Sequence, residues 1–267
     1  MFAKSVAFTP IRRVDFANPN SIYREFIMKA MVLAAGLGTR LGKLTSHKPK
    51  ALVEVAGQPL LAHIIAKLVR SGFTNITVNV HHFAQQVIDF LSQNDFGASI
   101  NISSETDQLL DTGGGILKAQ SFLDGQEPFL VHNVDIISDI DLSQIMSNHK
   151  QSGALATLAV SSRTSTRKLL FDSAMQLRGW KNLTSGEVII PSNSNGNLKE
   201  FAFSGIHVLS PQIFSAINSC GRFSIIDTYL SLCADKNVLG YDVSTSHVLD
   251  VGKPDSISRA ADFLKLV

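Results

Sequence analysis

Leu33-Ala34-Ala35-Gly36-Leu37-Gly38-Thr39-Arg40-Leu41, continued through Pro49-Lys50-Ala51-Leu52, is the stretch from which the fold of this chain is read. The apolar run from Ala30 to Ala34 leads into it and reads as a buried strand. Gly36 and Gly38 then let the backbone turn sharply and approach a ligand closely. Successive amides in such a turn form a concave nest suited to phosphate oxygens. Arg40 sets a planar cationic fork at the edge of that nest, and Thr39 adds a hydroxyl donor. Lys50 offers a second cation just after Pro49 has fixed the backbone.

Two other glycine loops are excluded by their own requirements. A phosphate loop of the Walker type needs Gly-Lys-Ser/Thr after four intervening residues, and Gly36 to Thr45 holds no such run. A dinucleotide fingerprint needs a helix that starts inside its glycines and an acidic residue after the second strand. Gly36, Gly38 and Gly42 are spaced close to that fingerprint, but Lys43, Thr45, Ser46, His47, Lys48 and Pro49 read as an extended polar loop. His81-His82, not a carboxylate, follows Val80. No Cys, Asp or Glu at ligand spacing accompanies those two histidines, so they read as loop residues rather than metal ligands.

Outward from the loop the pattern alternates. Leu60, Leu61, Ile64, Ile65, Leu68 and Val69 share one face at helical spacing, from about Gly57 to a stop at Gly72. Ile76, Val78 and Val80 alternate as a strand. Phe83, Val87, Phe90 and Leu91 mark a second helix, and Ala98 to Ile102 another strand. Strand, helix, strand, helix, strand predicts an α/β fold: a Rossmann-like, mostly parallel sheet with helices on both faces. Asp111-Thr112-Gly113-Gly114-Gly115 opens a helix carrying Ile116, Ala119 and Phe122. It does so on the carboxyl edge of the sheet, where such folds bind ligands. Pro128 to Val131 is a buried strand ending in His132-Asn133-Val134-Asp135. A carboxylate at that strand end is costly to bury unpaired, and a hard cation is its natural partner. A helix through Leu142, Ile145 and Met146 and a strand from Ala154 to Val160 follow. The polar segment from Ser161 to Gly196 carries short strands at Leu169–Phe171 and Val188–Ile190, with Gly179-Trp180 between them. It reads as a small antiparallel insertion laid over the sheet edge. Gly205 inside the Phe201 to Leu209 strand marks a close approach. Pro211 starts a helix with Ile213, Phe214 and Ile217, and Phe223-Ser224 leads into the next. Val248-Leu249-Asp250-Val251-Gly252-Lys253-Pro254 delivers Asp250 from a strand and turns into a helix bearing Ile257, Ala260, Ala261 and Leu264.

A chain of 267 residues with 45% apolar and 17% charged side chains folds around a substantial core. A net charge of +2 without a basic block leaves no electrostatic footprint for nucleic acid. No apolar run is long enough to span a membrane. Cys220 and Cys233 sit in no CxxC pair and read as reduced thiols of a cytoplasmic protein. Residues 1–27 hold Pro10, Pro19, Arg12 and Arg13 without periodicity and lack a signal-peptide core. They are expected to be a disordered extension, or the result of a mis-called start codon, before a domain over 28–267.

Taken together, Ala35 to Leu41, Leu44-Thr45 and Pro49 to Leu52 resemble the signature of the sugar-1-phosphate nucleotidylyltransferases, and the resemblance runs over about residues 28–267. It implies transfer of a nucleotidyl group from a nucleoside triphosphate to a sugar 1-phosphate, with pyrophosphate leaving. It implies that Arg40 and Lys50 are catalytic, and that Ala35, Gly36, Leu37, Gly38, Thr39, Thr112, Gly113 and Gly114 bind the nucleotide. By the same resemblance Asn133, Gly179 and Gly205 contact the sugar, and Asp135 and Asp250 hold Mg²⁺. Two departures stand out: Val134 replaces the glycine usual before the first Asp, and Lys253 replaces the commoner Thr after Gly252. The sugar-contacting carboxylate of relatives corresponds to Glu187 or Glu200. Within the family the Thr112–Gly115 and Phe203–Ile206 segments look most like N-acetylmuramate-1-phosphate uridylyltransferases of bacterial cell-wall recycling. UTP and N-acetylmuramate 1-phosphate are thus the expected substrates. Mannose-1-phosphate guanylyltransferases and phosphocholine cytidylyltransferases share much of the pattern. A lactyl carboxylate on the acceptor would need a donor from Arg167, Lys168, Lys181 or Asn182. A nucleotide-sensing, catalytically dead homologue is the non-enzyme alternative. Retention of Arg40, Lys50, Asp135 and Asp250 together argues against it.

Overall fold

The computed structural model describes residues 27–105, 107–191 and 196–265. The extension expected over residues 1–27 lies outside them apart from Ile27, which is exposed. In chain order the first half comprises strand β1 (Met28–Leu33), β2 (Glu54–Val55), β3 (Gln58–Pro59), helix α1 (Leu60–Arg70), β4 (Phe73–Val80), α2 (Ala84–Gln93), β5 (Ser99–Ser104), α3 (Asp111–Lys118), α4 (Gln120–Leu123), β6 (Phe129–Asn133), β7 (Ile136–Ser138) and α5 (Leu142–Ser152). The second half comprises β8 (Ala156–Ser161), β9 (Arg167–Phe171), β10 (Leu177–Asn182), β11 (Val188–Ile189), β12 (Lys199–Leu209), α6 (Ile213–Ala216), α7 (Ile225–Leu232), β13 (Val238–Asp242), β14 (Val248–Asp250) and α8 (Pro254–Leu264).

The centre of the sheet is parallel. β5, β4, β1 and β6 lie side by side in that order, with Val32 of β1 opposite Val78 of β4 and His132 of β6. Strands flanked on both sides and covered on both faces are apolar throughout, which is why Met31, Val32, Val78, Leu130 and Val131 are all fully buried. β12 runs antiparallel to β6 and carries the sheet on to β9, β10 and β11, while β8 and β13 pair parallel beside it. The antiparallel insertion is thus a continuation of the sheet through β12 and β9, not a layer over its edge. The polar composition of Ser161 to Gly196 reflects a sheet end with one face wetted. Trp180, half-buried, lies in β10, a strand that composition alone does not reveal.

Each face carries its own core. Side chains of α1, α2, α5 and α8 pack with Val32, Ile76, Val78 and Leu130 on one side. Side chains of α3, α4, α6 and α7 pack with Met31, Phe129, Val131 and Leu158 on the other. Local signals set the helix ends. Asp141 accepts from Ser143 N and Gln144 N at the start of α5, Ser224 accepts from Ile226 N at the start of α7, and Gly153 closes α5 in the left-handed conformation. The expected helix from Gly57 starts at Leu60, because Gln58–Pro59 first pairs with Glu54–Val55. The helix expected through Ile217 ends at Ala216. Lys43 and Thr45, read as part of an extended loop, instead lie in 3₁₀ turns over Thr39–Thr45, broken at Gly42, and the Thr45 hydroxyl donates to the Gly38 and Gly42 carbonyls.

Candidate active site

Parallel strands deliver their carboxyl ends to one edge, and a cavity of about 270 Å³ opens there. Four segments line it: Leu33, Ala35 and Gly36 at the end of β1, Asn79 of β4, Leu109, Asp111 and Thr112 at the start of α3, and Asn133, Val134 and Asp135 at the end of β6. Lys50 and Arg222 complete the wall. Of the residues implied by the resemblance, Ala35, Gly36, Lys50, Thr112, Asn133 and Asp135 therefore meet around one space.

Lys50 is 7% exposed and its ammonium is ion-paired with the Asp135 carboxylate. The carboxylate for which a hard cation is expected thus already has a cationic partner, as a half-buried charge requires. Gly38, with φ +66°, fixes the approach of this lysine, since a Cβ there would come within 2.9 Å of Lys50 Cβ and 3.0 Å of Thr45 Cγ2. Arg40 and Asp250 stand together to one side. A Cβ on Gly252 would lie 2.6 Å from Asp250 Oδ1 and 2.7 Å from Arg40 Nη2, which puts both side-chain ends beside this glycine. β14 brings Asp250 to this place by pairing with β7. Asp250 faces Ile136, and Val251 N donates to the Asp135 carbonyl at 2.8 Å. Leu37, Thr39 and Arg40 are exposed beside the cavity rather than in its wall.

Among the described residues no group of three or more His, Cys, Asp or Glu side chains is placed to hold a metal alone. Asp135 and Asp250 nevertheless fit Mg²⁺, because this ion binds through one or two carboxylates and takes its other ligands from substrate phosphates and water. Both are hard oxygen donors on neighbouring strand ends.

Gly113 and Gly114 are buried against the segment before α7 instead of facing the cavity. Cβ atoms there would come within 2.3 Å of the Phe223 ring and 2.2 Å of Gly221 O. Gly113 N donates to Phe223 O at 2.9 Å, and Thr112 Oγ1 accepts from Ile225 N at 3.0 Å. Gly205 (φ +72°) is the bulge where the β12–β8 register shifts, and a Cβ there would approach Asn133 Nδ2 at 3.0 Å and Ile136 Cγ1 at 2.8 Å. It abuts a cavity residue without lining the cavity. Gly179 does not reach it either: Ile189 O covers its Cβ direction at 2.5 Å. Glu200 is ion-paired with Lys181, and Glu187 is exposed in the β10–β11 turn.

Two buried residues at the site carry no motif. Asn79 Oδ1 accepts from Ala34 N at 2.6 Å and Ala35 N at 3.3 Å, and its Nδ2 donates to Glu105 Oε1 at 2.6 Å. Glu105 Oε2 accepts from Leu110 N at 2.9 Å. Asn79 at the end of the covered parallel strand β4 was the available signal, since such positions are otherwise apolar; Glu105, just past the edge strand β5, carried none. Behind Asn133, His132 is fully buried, and burial pushes its imidazole down to about 4, so the ring is neutral at ordinary pH.

Comparison with known proteins gives concordant results. The nucleotidyl transferase family model matches residues 29–169. The N-acetylmuramate alpha-1-phosphate uridylyltransferase of Caulobacter vibrioides is 34% identical over 220 residues, covering 79% of this chain and 86% of that one. The mannose-1-phosphate guanyltransferase of Gibberella zeae is 30% identical over 230 residues, covering 85% of this chain and 61% of that one. In fold, the chain superposes on the UDP-glucose pyrophosphorylase of Acinetobacter baumannii with a TM-score of 0.73 at 20% identity, over 90% of this chain and 94% of that one. The chain belongs to the nucleotidyl transferase family, among the sugar-1-phosphate nucleotidylyltransferases.

Proposed function

We propose that the chain transfers a uridylyl group from UTP to N-acetylmuramate 1-phosphate, releasing pyrophosphate, in the cytoplasm as a step of cell-wall sugar recycling. The observation that carries the choice of substrates is the 34% identity to the Caulobacter uridylyltransferase over most of both chains. The guanyltransferase relative extends well beyond the region this chain matches.

A sugar-phosphate oxygen attacks the α-phosphorus and the pyrophosphate leaves in line. The nucleophile is an anion near neutral pH, so the chain need supply no general base. Its task is to hold two polyanions together, by positioning and charge neutralisation. The amides after β1 cradle the triphosphate, and Thr112 and the start of α3 face the base side. Lys50 neutralises charge between the two phosphates, and Arg40 does so on the pyrophosphate side. Asp135 and Asp250 would hold Mg²⁺, which when bound supplies further neutralisation of phosphate oxygens. The acceptor's lactyl carboxylate needs a cation or an amide donor. Lys168 donates to the Arg163 carbonyl, Lys181 is paired with Glu200, and Asn182, whose Oδ1 accepts from Thr184 N, offers only an uncharged amide nitrogen, a weaker donor to a carboxylate than a cation. Arg167 remains, beside Trp180 and Phe203 at a small cavity of about 220 Å³, and supports that role.

A pyrophosphate-release screen of the four nucleoside triphosphates against a panel of sugar 1-phosphates tests the proposal. UTP with N-acetylmuramate 1-phosphate is expected to give the highest kcat/KM. A higher value for GTP with mannose 1-phosphate, or CTP with phosphocholine, would overturn the choice of substrates but not nucleotidyl transfer itself.

A further inference from the structure

Asn79 and Glu105 are 2% and 0% exposed, and the chemistry above uses neither. A buried pair of polar side chains is costly unless every polar atom is satisfied. Here every side-chain hydrogen bond they make beyond their own contact comes from a backbone amide of a cavity segment. Asn79 takes Ala34 N and Ala35 N, at the entrance to the phosphate-binding turn. Glu105 takes Leu110 N, immediately before Asp111 and Thr112. The third glycine of the α3 run also answers to this pair. A Cβ on Gly115 would stand 2.7 Å from Glu105 Oε1 and 2.9 Å from Asn79 Nδ2, so the helix can come down on the pair only without a side chain there.

We propose that Asn79 and Glu105 act as one positioning strut, which fixes the separation between the phosphate turn at Ala34–Gly36 and the base-side segment at Leu110–Thr112 and so sets nucleotide affinity. The proposal rests on the assignment of this cavity to the nucleotide. The strut has a polarity: amide on β4, carboxylate after β5. That polarity can be reversed without loss of a bond. In Asn79→Asp alone, two carboxylate oxygens face each other where Nδ2 and Oε1 met. In Glu105→Gln alone, the new amide nitrogen must face a donor, either Asn79 Nδ2 or Leu110 N. In the double variant Asn79→Asp/Glu105→Gln, one oxygen of the carboxylate now on β4 still accepts from Ala34 N and Ala35 N. Its other oxygen accepts from the side-chain amide now after β5, and the carbonyl of that amide accepts from Leu110 N. Net charge and volume are unchanged.

The test measures KM and Kd for the triphosphate, KM for the acceptor and the melting temperature in the wild type, both single variants and the double variant. The triphosphate is whichever of the four the wild type turns over best, so an error in the choice of UTP leaves the test intact. Each single variant is expected to weaken triphosphate binding by about tenfold or more, the loss that a buried unpaired polar group brings. Acceptor KM should stay within about twofold. The double variant is expected to recover triphosphate affinity to within about threefold of the wild type. Single variants that fold and bind the triphosphate normally would overturn the proposal. So would a double variant no better than its worse parent, or one that regains melting temperature without regaining affinity.

Discussion

Lowering the pH from about 7 to about 5 should cost this fold on the order of 6 kcal/mol, through three buried histidines. Burial pushes His132 of β6 to about 4, with Lys67 adding to the shift and the Asn133 carbonyl opposing it. Burial, then the Lys150 charge, takes His149 of α5 to about 4, and burial, then His132, takes His207 of β12 to about 3. Their surroundings suit neutral rings: His149 bonds Thr157 Oγ1 at 2.8 Å and Ser210 Oγ at 3.0 Å, and His207 Nδ1 meets the Tyr229 hydroxyl. An unfolded histidine titrates near 6.5, so below that pH the unfolded chain takes up protons that the native chain refuses. The stability is fully present above about 6.5 and is lost as pH falls towards the native values. Each group contributes a slope of about 1.4 kcal/mol per pH unit, three give about 4, and one and a half units give about 6. That is much of the typical stability of a domain, about 5–15 kcal/mol. The window lies above the ordinary carboxylate range, which keeps acid titration of Asp and Glu largely out of it. Urea unfolding followed by the fluorescence of the single tryptophan, Trp180, at constant ionic strength between about pH 7 and pH 5 gives the slope directly. His149→Gln is expected to start from a lower stability but to lose about a third of the slope. A wild-type slope below about 1 kcal/mol per pH unit would refute the reasoning, since it would mean that these rings are protonated or hydrated within the fold.

Asp135→Asn and Asp250→Asn should each lower turnover by orders of magnitude with little change in circular dichroism; full activity of either in excess chelator would defeat the metal assignment. Gly205→Ala places a Cβ against Asn133 and Ile136 at a positive φ, so kcat/KM should drop by about tenfold or more along with a lower melting temperature. Gly179→Ala should displace β11 and lower the melting temperature while leaving acceptor KM unchanged, and a raised acceptor KM would restore Gly179 to the sugar site. A chain beginning at Met28 should melt and turn over as the full chain does, and a large loss in either would show that the preceding residues pack on the domain.

Periodicity made the parallel centre legible, because β1, β4, β5 and the helices between them each bury one consistent set of positions. Spacing and resemblance together marked Lys50, Asn133 and Asp135, which the structure brings to one cavity. Other parts were hidden for physical reasons. Gly113 and Gly114 carry the same letters whether they approach a ligand or a neighbouring segment, and only the packing of Phe223 and Gly221 against them distinguishes the two. The continuity of β9 to β11 with the main sheet depends on pairing with β12, a long-range contact that local pattern does not encode. Asn79 and Glu105 fall between the motifs, since a single polar residue in a strand reads as an outward position until both faces are known to be covered. The Lys50–Asp135 pair is obscured because the resemblance assigns each residue another partner, phosphate for Lys50 and a metal for Asp135.

The pairing of β14 with β7 has a consequence for the order of events as the chain is made. The phosphate turn and the strand ends of β1, β4 and β6 come early in the sequence, while Arg222 in the cavity wall and the Gly221–Ile225 segment that packs on α3 come much later. Asp250 arrives on the last strand of the described chain, and nothing local holds it near Asp135 until β14 docks. A chain made only as far as α7 can therefore contain every residue that lines the cavity and still lack Asp250. Competence would then switch on late and abruptly, with a single short ladder as the closing step.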